Sequence, residues 1–327
     1  MRYVTFPGEG TPRVLSFYLA AEEWLARNTA GGLFFMWRVD PTVICGRNQV
    51  VDLEVDLPYC RAAGIAVCRR KSGGGCVYAD RSNIMFSHIA DTADVATTFG
   101  AYTGRVAAML RALGLDAGAT ARNDVLVGDR KVSGNAFYNL PGLRRCVVHG
   151  TMLFDSDPVV MARAITPSRA KLQSKGVVSA AARVTTLRAH LPGLSIEAFM
   201  AHARSFMCPG GEYPLPPSAL PEIEALERQL SSPQWIYRKT SAAGGHRSRR
   251  IEGVGEFQVW LDARDGVIAD IDIAGDFFLL SDLDSGLLAP LRGVSLQPDA
   301  IAAALESTPP ETVVRGLTMP LLLDILL

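Results

Sequence analysis

Apolar residues recur at helical spacing between Val14 and Arg27, where Val14, Phe17, Tyr18, Ala21, Trp24 and Leu25 share a face, so the spacing predicts an amphipathic helix. The stretch LFFMWRVDPTVICG that follows holds two short runs rich in Val, Phe, Ile and Trp on either side of Asp40-Pro41, which predicts strand, turn, strand. Helical period returns from Phe99 to Leu113, through Tyr102, Val106, Met109 and Leu110, with Gly114 placed to end the helix. Asp157-Pro158 ahead of VVMARAI combines a capping side chain with a first-turn proline and predicts a further helix start. NDVLVGDRKVSG alternates about Gly128-Asp129 and reads as a hairpin with Lys131 just past its turn. EFQVWLDARDGVIADIDI reads as a second hairpin about Asp265-Gly266, with helical patterns after it near 297–305 and 316–327.

Six prolines between Cys208 and Pro233, followed by the polar run SAAGGHRSRR at 241–250, set the expected domain boundary, giving units 1–245 and 246–327. Strands and helices mix without regular alternation, which predicts an α+β fold. Composition narrows the functional classes. The 327 residues carry 33 basic and 33 acidic side chains, and such a balance excludes a general nucleic-acid binder, which needs a basic excess against phosphates. With 48% hydrophobic and 20% charged residues the chain can bury a sizeable core. Its apolar runs fall short of the roughly 20 residues that cross a bilayer, and MRYVTFPGEG has no secretory pattern. The six cysteines are scattered, with no C-x-x-C pair, which favours structural thiols in a reducing cytoplasm.

Chemistry concentrates in four places. In RRKSGGGCVYAD, 69–80, consecutive glycines let a ligand approach the main chain and line an anion site with N–H groups, while Arg69 and Arg70 add charge. It is neither a Walker loop nor a Rossmann fingerprint, and a lone GGG is more often a surface turn. In NDVLVGDRKVSGN, Asn123 and Asp124 suit a divalent cation, a ribose or an amide, and Lys131 suits a phosphorus centre gaining charge; taken singly, each also reads as a turn residue or a solvated lysine. His149, in VVHGTM, reads as a pocket histidine or a hydrogen-bonded core residue. KLQSKGVVSAAARVTTL, 171–187, carries Lys171, Lys175 and Arg183 among small residues. No serine sits in a G-x-S-x-G elbow and no cysteine has an evident histidine, so covalent hydrolysis has no support.

Taken in order, these segments resemble the lipoate-protein ligase family, in the form with a C-terminal accessory domain. The Arg-Arg, Ser-Gly-Gly-Gly, small, Val, aromatic pattern is matched by Arg69, Arg70, Ser72, Gly73, Gly74, Gly75, Cys76, Val77 and Tyr78. Asn123-Asp124, the Lys-x-Ser-Gly of Lys131 to Gly134 and the His-Gly-Thr of His149, Gly150 and Thr151 are matched too, as are PTVICGRNQ, KLQSKG with SAAARV, and GVIADIDIAGDFF. The resemblance runs over nearly the whole chain. It implies a mixed or antiparallel sheet with helices, like the biotin ligases and class II aminoacyl-tRNA synthetases, plus a small α+β accessory domain. The implied chemistry takes lipoate and MgATP to lipoyl-AMP, then passes the lipoyl group to a lysine of apo lipoyl domains, those of 2-oxoacid dehydrogenase E2 subunits and the glycine cleavage H protein. Residue by residue, it implies ATP or lipoyl-AMP binding by Arg70, Ser72 to Tyr78, Asn123, Asp124, Lys131 and His149 to Thr151. It further implies lipoate binding at Gly74, Gly75 and Lys131, catalysis by Lys131, a Mg²⁺ ligand in Asp124, and no tightly bound cofactor.

Three departures matter. Ala79 stands where the family often has histidine, and RKTSAAGGHRSRR does not match the usual linker. GATARND has Ala119 where one cysteine-dependent transferase branch of the superfamily carries its nucleophile, so an acyl-thioester route loses that group. A biotin ligase would carry G-R-G-R in the glycine loop. A non-catalytic binding protein would have no need to retain both Lys131 and that loop.

Overall fold

The computed structural model describes residues 1–8, 13–92, 94–140, 142–165, 183–239 and 246–327, with Ala96 described by its backbone alone. The run LFFMW forms β2 (Leu33–Trp37) and is buried at every position. Its side chains alternate between two cores. Phe34 and Met36 face one with Phe86, Phe99 and Phe199, while Leu33, Phe35 and Trp37 face the other with Phe17 and Leu25. A strand covered on both faces reads as a continuous apolar run, which is why this one shows no polar alternation.

The predicted first helix is α1 (Leu15–Asn28), packed on one face of the main sheet, and the helices Val95–Arg111 and Ile196–Met207 cover the other. Val95–Arg111 begins four residues before the apolar period does. Asp94 caps it, its carboxylate accepting from Thr97 N at 3.1 Å, and Thr97 and Thr98 hide the helical pattern of the first turn. Gly114, at φ 83°, follows its end, and Asp157 caps Pro158–Ala164 through Val159 N at 2.7 Å.

Eight strands build the main sheet. In chain order they are β1 (Arg2–Thr5), β2, β6 (Asn83–Ala90), β7 (Ala117–Ala119), β8 (Asp124–Val127), β9 (Arg130–Asn139), β10 (Cys146–Leu153) and β11 (Glu212–Pro214). Their spatial order is β11-β1-β2-β6-β10-β9-β8-β7. β1 runs parallel to both neighbours and the other pairs are antiparallel, so the sheet is mixed. Asp40-Pro41 turns the chain out of this sheet, and β3 (Thr42–Cys45) joins a second one between β4 (Ala66–Arg69) and β5 (Val77–Ala79). The glycine loop is the connection from β4 to β5.

The second predicted hairpin is β13 (Gly255–Arg264) and β14 (Val267–Gly275), turning through Asp265 at φ 51° and Gly266 at φ 75°. With β12 (Arg247–Ile251) they form a third sheet, antiparallel throughout, whose core is drawn from Ile251 to Leu326. The helices Pro298–Ala304 and Met319–Leu326 match the two late helical patterns. Of the expected linker at 241–250, residues 241–245 lie outside the described residues and Arg247 onward is strand; the arginines of that edge blunt further strand pairing. This C-terminal unit meets the rest through Gly275 N donating to Asn48 O at 3.0 Å, and through Phe278, which stacks on Phe137 with centroids 5.5 Å apart. Among the described residues no helix is long and apolar enough to cross a membrane.

Candidate active site

The two arginines before the glycine loop divide their tasks. Arg69 is fully buried, its Nε donating to Ile236 O at 2.7 Å and its Nη1 to the carbonyls of Gly46, Arg47 and Gln49 at 2.7–3.0 Å. Burial pushes its pKa down to about 10, still well above neutrality, so it is a permanent charge that ties segments together. The expectation that both arginines charge the site is thereby corrected: Arg69 does not line the cavity, and Arg70 does. Arg70 is also the internal brace of the loop. Its Nε donates to Ser72 Oγ at 2.9 Å, Nη1 to Ile44 O at 2.9 Å, and Nη2 to Gly73 O at 2.7 Å and Gly75 O at 2.8 Å. Gly74 takes φ 88°, where an added Cβ would meet Arg70 Nη2 at 3.1 Å and the Phe278 ring at 3.2 Å, so this position needs glycine.

Lys131 is aimed by a bulge. One step along β8, from Leu126 to Val125, matches two along β9, from Lys131 to Ser133, and Val132 is the extra residue. The lysine then folds over Gly134, where a Cβ would stand 2.3 Å from Nζ. It reaches the buried Asp124 carboxylate at 2.8 Å, and Arg183 pairs with the other oxygen of the same group. Arg183 is brought there because Thr185 N donates to Lys131 O at 2.8 Å. Lys131 is only 17% exposed at the side chain, which rules out a solvated strand lysine. Asn123 clamps the strand beyond the bulge, donating from Nδ2 to Asn135 O at 3.1 Å.

His149 is both of the things the sequence allowed, a buried hydrogen-bonded residue and a pocket residue. Its Nδ1 lies 2.9 and 3.0 Å from the two oxygens of fully buried Glu22, and its Nε2 lies 2.6 Å from Ser72 Oγ. Glu22 Oε1 also accepts from Ser87 Oγ at 2.6 Å, which accepts from Trp37 Nε1 at 2.8 Å.

These groups surround a cavity of about 140 Å³. Of the residues singled out from sequence, Arg70, Gly74 to Val77, Asn123, Asp124, Lys131 and His149 to Thr151 line it, while Ser72, Gly73 and Tyr78 do not. Tyr78 points into the core with Val43 and Cys60, and Lys171 and Lys175 lie outside the described residues. Its lining combines apolar side chains, Leu19, Trp37, Ile44, Val77, Met85 and Ala136, with the charged groups of Lys131, Asp124, Arg70, Arg122 and Arg183. Such a cavity suits a ligand with an apolar tail and an anionic head.

Sequence reasoning missed Glu22, Arg122, Asp276 and Phe278. Glu22 had left a signal, a carboxylate inside the apolar stripe between Tyr18, Ala21 and Leu25. Asp276 and Phe278 come from the C-terminal unit, folded against the loop so that Gly74 N donates to Phe277 O at 3.2 Å. Both cavity carboxylates are engaged: Asp124 by Lys131 and Arg183, and Asp276 by Glu256 N at 2.7 Å with Arg122 at 4.0 Å. Among the described residues no cluster of three or more His, Cys, Asp or Glu is set to hold a metal, so an all-protein metal site does not fit.

Residues 15–206 match a family profile described as the lipoyl protein ligase A/B catalytic domain, and 243–326 one described as the bacterial lipoate protein ligase C-terminus. The chain is 33% identical to lipoate–protein ligase 1 of Staphylococcus aureus, over 81% of this chain and 82% of the relative. It is 30% identical to a probable lipoate-protein ligase A of Mycoplasma pneumoniae, over 84% and 83%. In fold it is similar to the lipoate complex of Plasmodium falciparum LipL1, with TM-score 0.73, 20% identity and coverage of 99% and 97%. An ATP-bound lipoate-protein ligase A gives TM-score 0.58 at 25% identity, covering 72% and 98%. A bipartite ligase from Thermoplasma acidophilum, solved in a lipoylation system with its E2 lipoyl domain, gives 0.60 at 26%, covering 74% and 98%.

Proposed function

The chain belongs to the lipoate-protein ligase family, and from that premise we propose that it activates lipoate with MgATP and transfers the lipoyl group to a lysine of apo lipoyl domains. The observation that carries this is the placement of Lys131, 2.8 Å from Asp124, in one cavity with the glycine loop and several apolar side chains. A lipoate carboxylate oxygen attacks the α-phosphorus of ATP, a bond to that phosphorus forms, and the bond to pyrophosphate breaks. Negative charge grows on the α-phosphoryl oxygens as this happens, and Lys131, with Arg70 and the main chain of Gly75 to Val77 beside it, meets that charge from fixed positions. In the second step the acceptor amine attacks the acyl carbon of lipoyl-AMP, its proton passes to solvent, and AMP leaves. Lys131 offsets the charge of the departing phosphate.

In this reading the tail of lipoate lies against the apolar part of the lining, which includes Trp37, Met85 and Ala136. Mg²⁺ enters as part of the MgATP substrate, held mainly by phosphates and water. Asp124 would be the residue to ligate it, once Lys131 or Arg183 had turned from that carboxylate to the nucleotide. Residues 1–245 carry the chemistry in this reading, and the accessory unit, 246–327, closes the cavity with Asp276 and Phe278. The ATP-bound state of one related ligase, and the pairing of another with an E2 lipoyl domain in one lipoylation system, support nucleotide activation and a lipoyl-domain acceptor. In this reading the acceptors are the lipoyl domains of E2 subunits and of the H protein.

Lys131→Ala tests the assignment. Lipoyl-AMP formation, followed as pyrophosphate release, is expected to fall by about 10³-fold, the scale on which removal of a single electrostatic stabiliser acts. Undiminished adenylation would refute the role given to Lys131.

A further inference from the structure

We propose that Glu22 is a positioning residue for adenylation, acting through His149 and Ser72 to fix Arg70 and the conformation of the glycine loop; this rests on the function proposed above. Glu22 does not line the cavity. It occupies a position on α1 where the pattern calls for an apolar side chain, and a buried carboxylate is costly unless it is hydrogen-bonded. Its bonds give that cost a purpose. A carboxylate only accepts, so the Glu22 oxygens 2.9 and 3.0 Å from His149 Nδ1 require a proton on that nitrogen. For the tautomer that carries its single proton on Nδ1, Nε2 is an acceptor. Ser72 O–H fills it at 2.6 Å, which turns the Ser72 lone pairs toward Arg70 Nε–H at 2.9 Å.

All donors therefore point one way, from Arg70 through Ser72 and His149 to Glu22, and aligned bonds polarise one another. The chain links α1, β10 and the glycine loop. At its far end Arg70 holds Gly73 O and Gly75 O, on either side of the left-handed Gly74. Ser87, held by Trp37, pins Glu22 Oε1 from the opposite side.

Glu22→Gln keeps the shape and sets an amide against His149. Ser87 and His149 must then share one acceptor oxygen, or the NH₂ of the introduced amide faces Nδ1 and reverses the direction of the chain. Two readouts separate positioning from packing. In the ligand-free protein, hydrogen–deuterium exchange across residues 70–78 is expected to quicken in Glu22→Gln. With ATP and lipoate, the single-turnover rate of lipoyl-AMP formation is expected to fall about tenfold, with KM for lipoate within about twofold of wild type, and to fall no further when Glu22→Gln is added to Ser72→Ala. Unchanged exchange and rate, or losses that multiply in the double variant, would overturn the proposal. If Glu22→Gln does not fold, Ser87→Ala replaces it, with a smaller loss of rate that again vanishes in the Ser72→Ala background. Wild-type protein that makes no lipoyl-AMP would sink the proposed function, while the exchange comparison still judges the relay.

Discussion

Of the six cysteines only Cys76 lines the cavity, and it marks where a thioester route would have to run. Its S–H donates to Cys45 Sγ at 3.4 Å. The Cys45 thiol is lowered by that bond, and by the nearby Arg69 and Arg70, against the opposing effect of burial. The sulfur inclined toward the thiolate is thus Cys45, fully buried and off the cavity, while the accessible sulfur is the proton donor. His149, the imidazole on the cavity, is committed to Ser72 and Glu22. Cys76→Ser is therefore expected to keep ATP-dependent activity within a few-fold of wild type, as a steady-state lipoylation assay would show; complete loss would point to a covalent acyl-enzyme. At this scale the sequence made visible what motif chemistry encodes locally, Lys131 and the glycine loop. It did not reveal Asp276 or Phe278, because only tertiary packing of the C-terminal unit brings them to the cavity. Glu22 was visible as a misfit within an apolar stripe, but its partners, at 65 and 127 residues' separation, were not.

At the level of elements, the hairpins were legible because their turns are local: Gly128, and Asp265 with Gly266, take the positive φ that such connections require. The parallel pairing of β1 with β2 and β11 left no comparable trace, since it joins segments far apart in the chain by backbone bonds alone. Nor did the departure of β3 into a second sheet, which Asp40-Pro41 permits without dictating. The middle of the main sheet carries a pH dependence of its own. On β6, His88 stacks on Tyr102 with ring centroids 5.6 Å apart, and its Nδ1 lies 3.0 Å from Leu33 O. Burial moves its pKa from 6.5 down to about 4, against the effect of the Leu33 bond. The unfolded chain takes up a proton near pH 6.5 that the folded chain refuses until about pH 4, so stability is full above the upper value and declines toward the lower. The decline is expected to be of order 2 kcal/mol, discounted for partial exposure of the ring. Urea unfolding across that window would show it, and His88→Gln should flatten the slope; an unchanged slope would contradict the assignment.

For the whole molecule, the formal charge of zero excluded a broad polyanion surface, and the structure shows where charge is concentrated instead. Lys131, Arg70, Arg122 and Arg183 all line one cavity, and the carboxylates of Asp124 and Asp276 hold three of them, leaving Arg70 to the loop carbonyls. The C-terminal unit completes that cavity rather than merely following it in the chain, because the Asp276–Phe278 segment both bonds the glycine loop and walls the site. Family membership makes the chain a lipoate-protein ligase, and acyl transfer through an adenylate is the reading proposed for this cavity. The central claim is tested most directly by incubating purified protein with lipoate and an apo lipoyl domain, with and without MgATP, and weighing the acceptor. The account predicts a gain of one lipoyl group on the acceptor only when MgATP is present; transfer from an acyl carrier without ATP would contradict it.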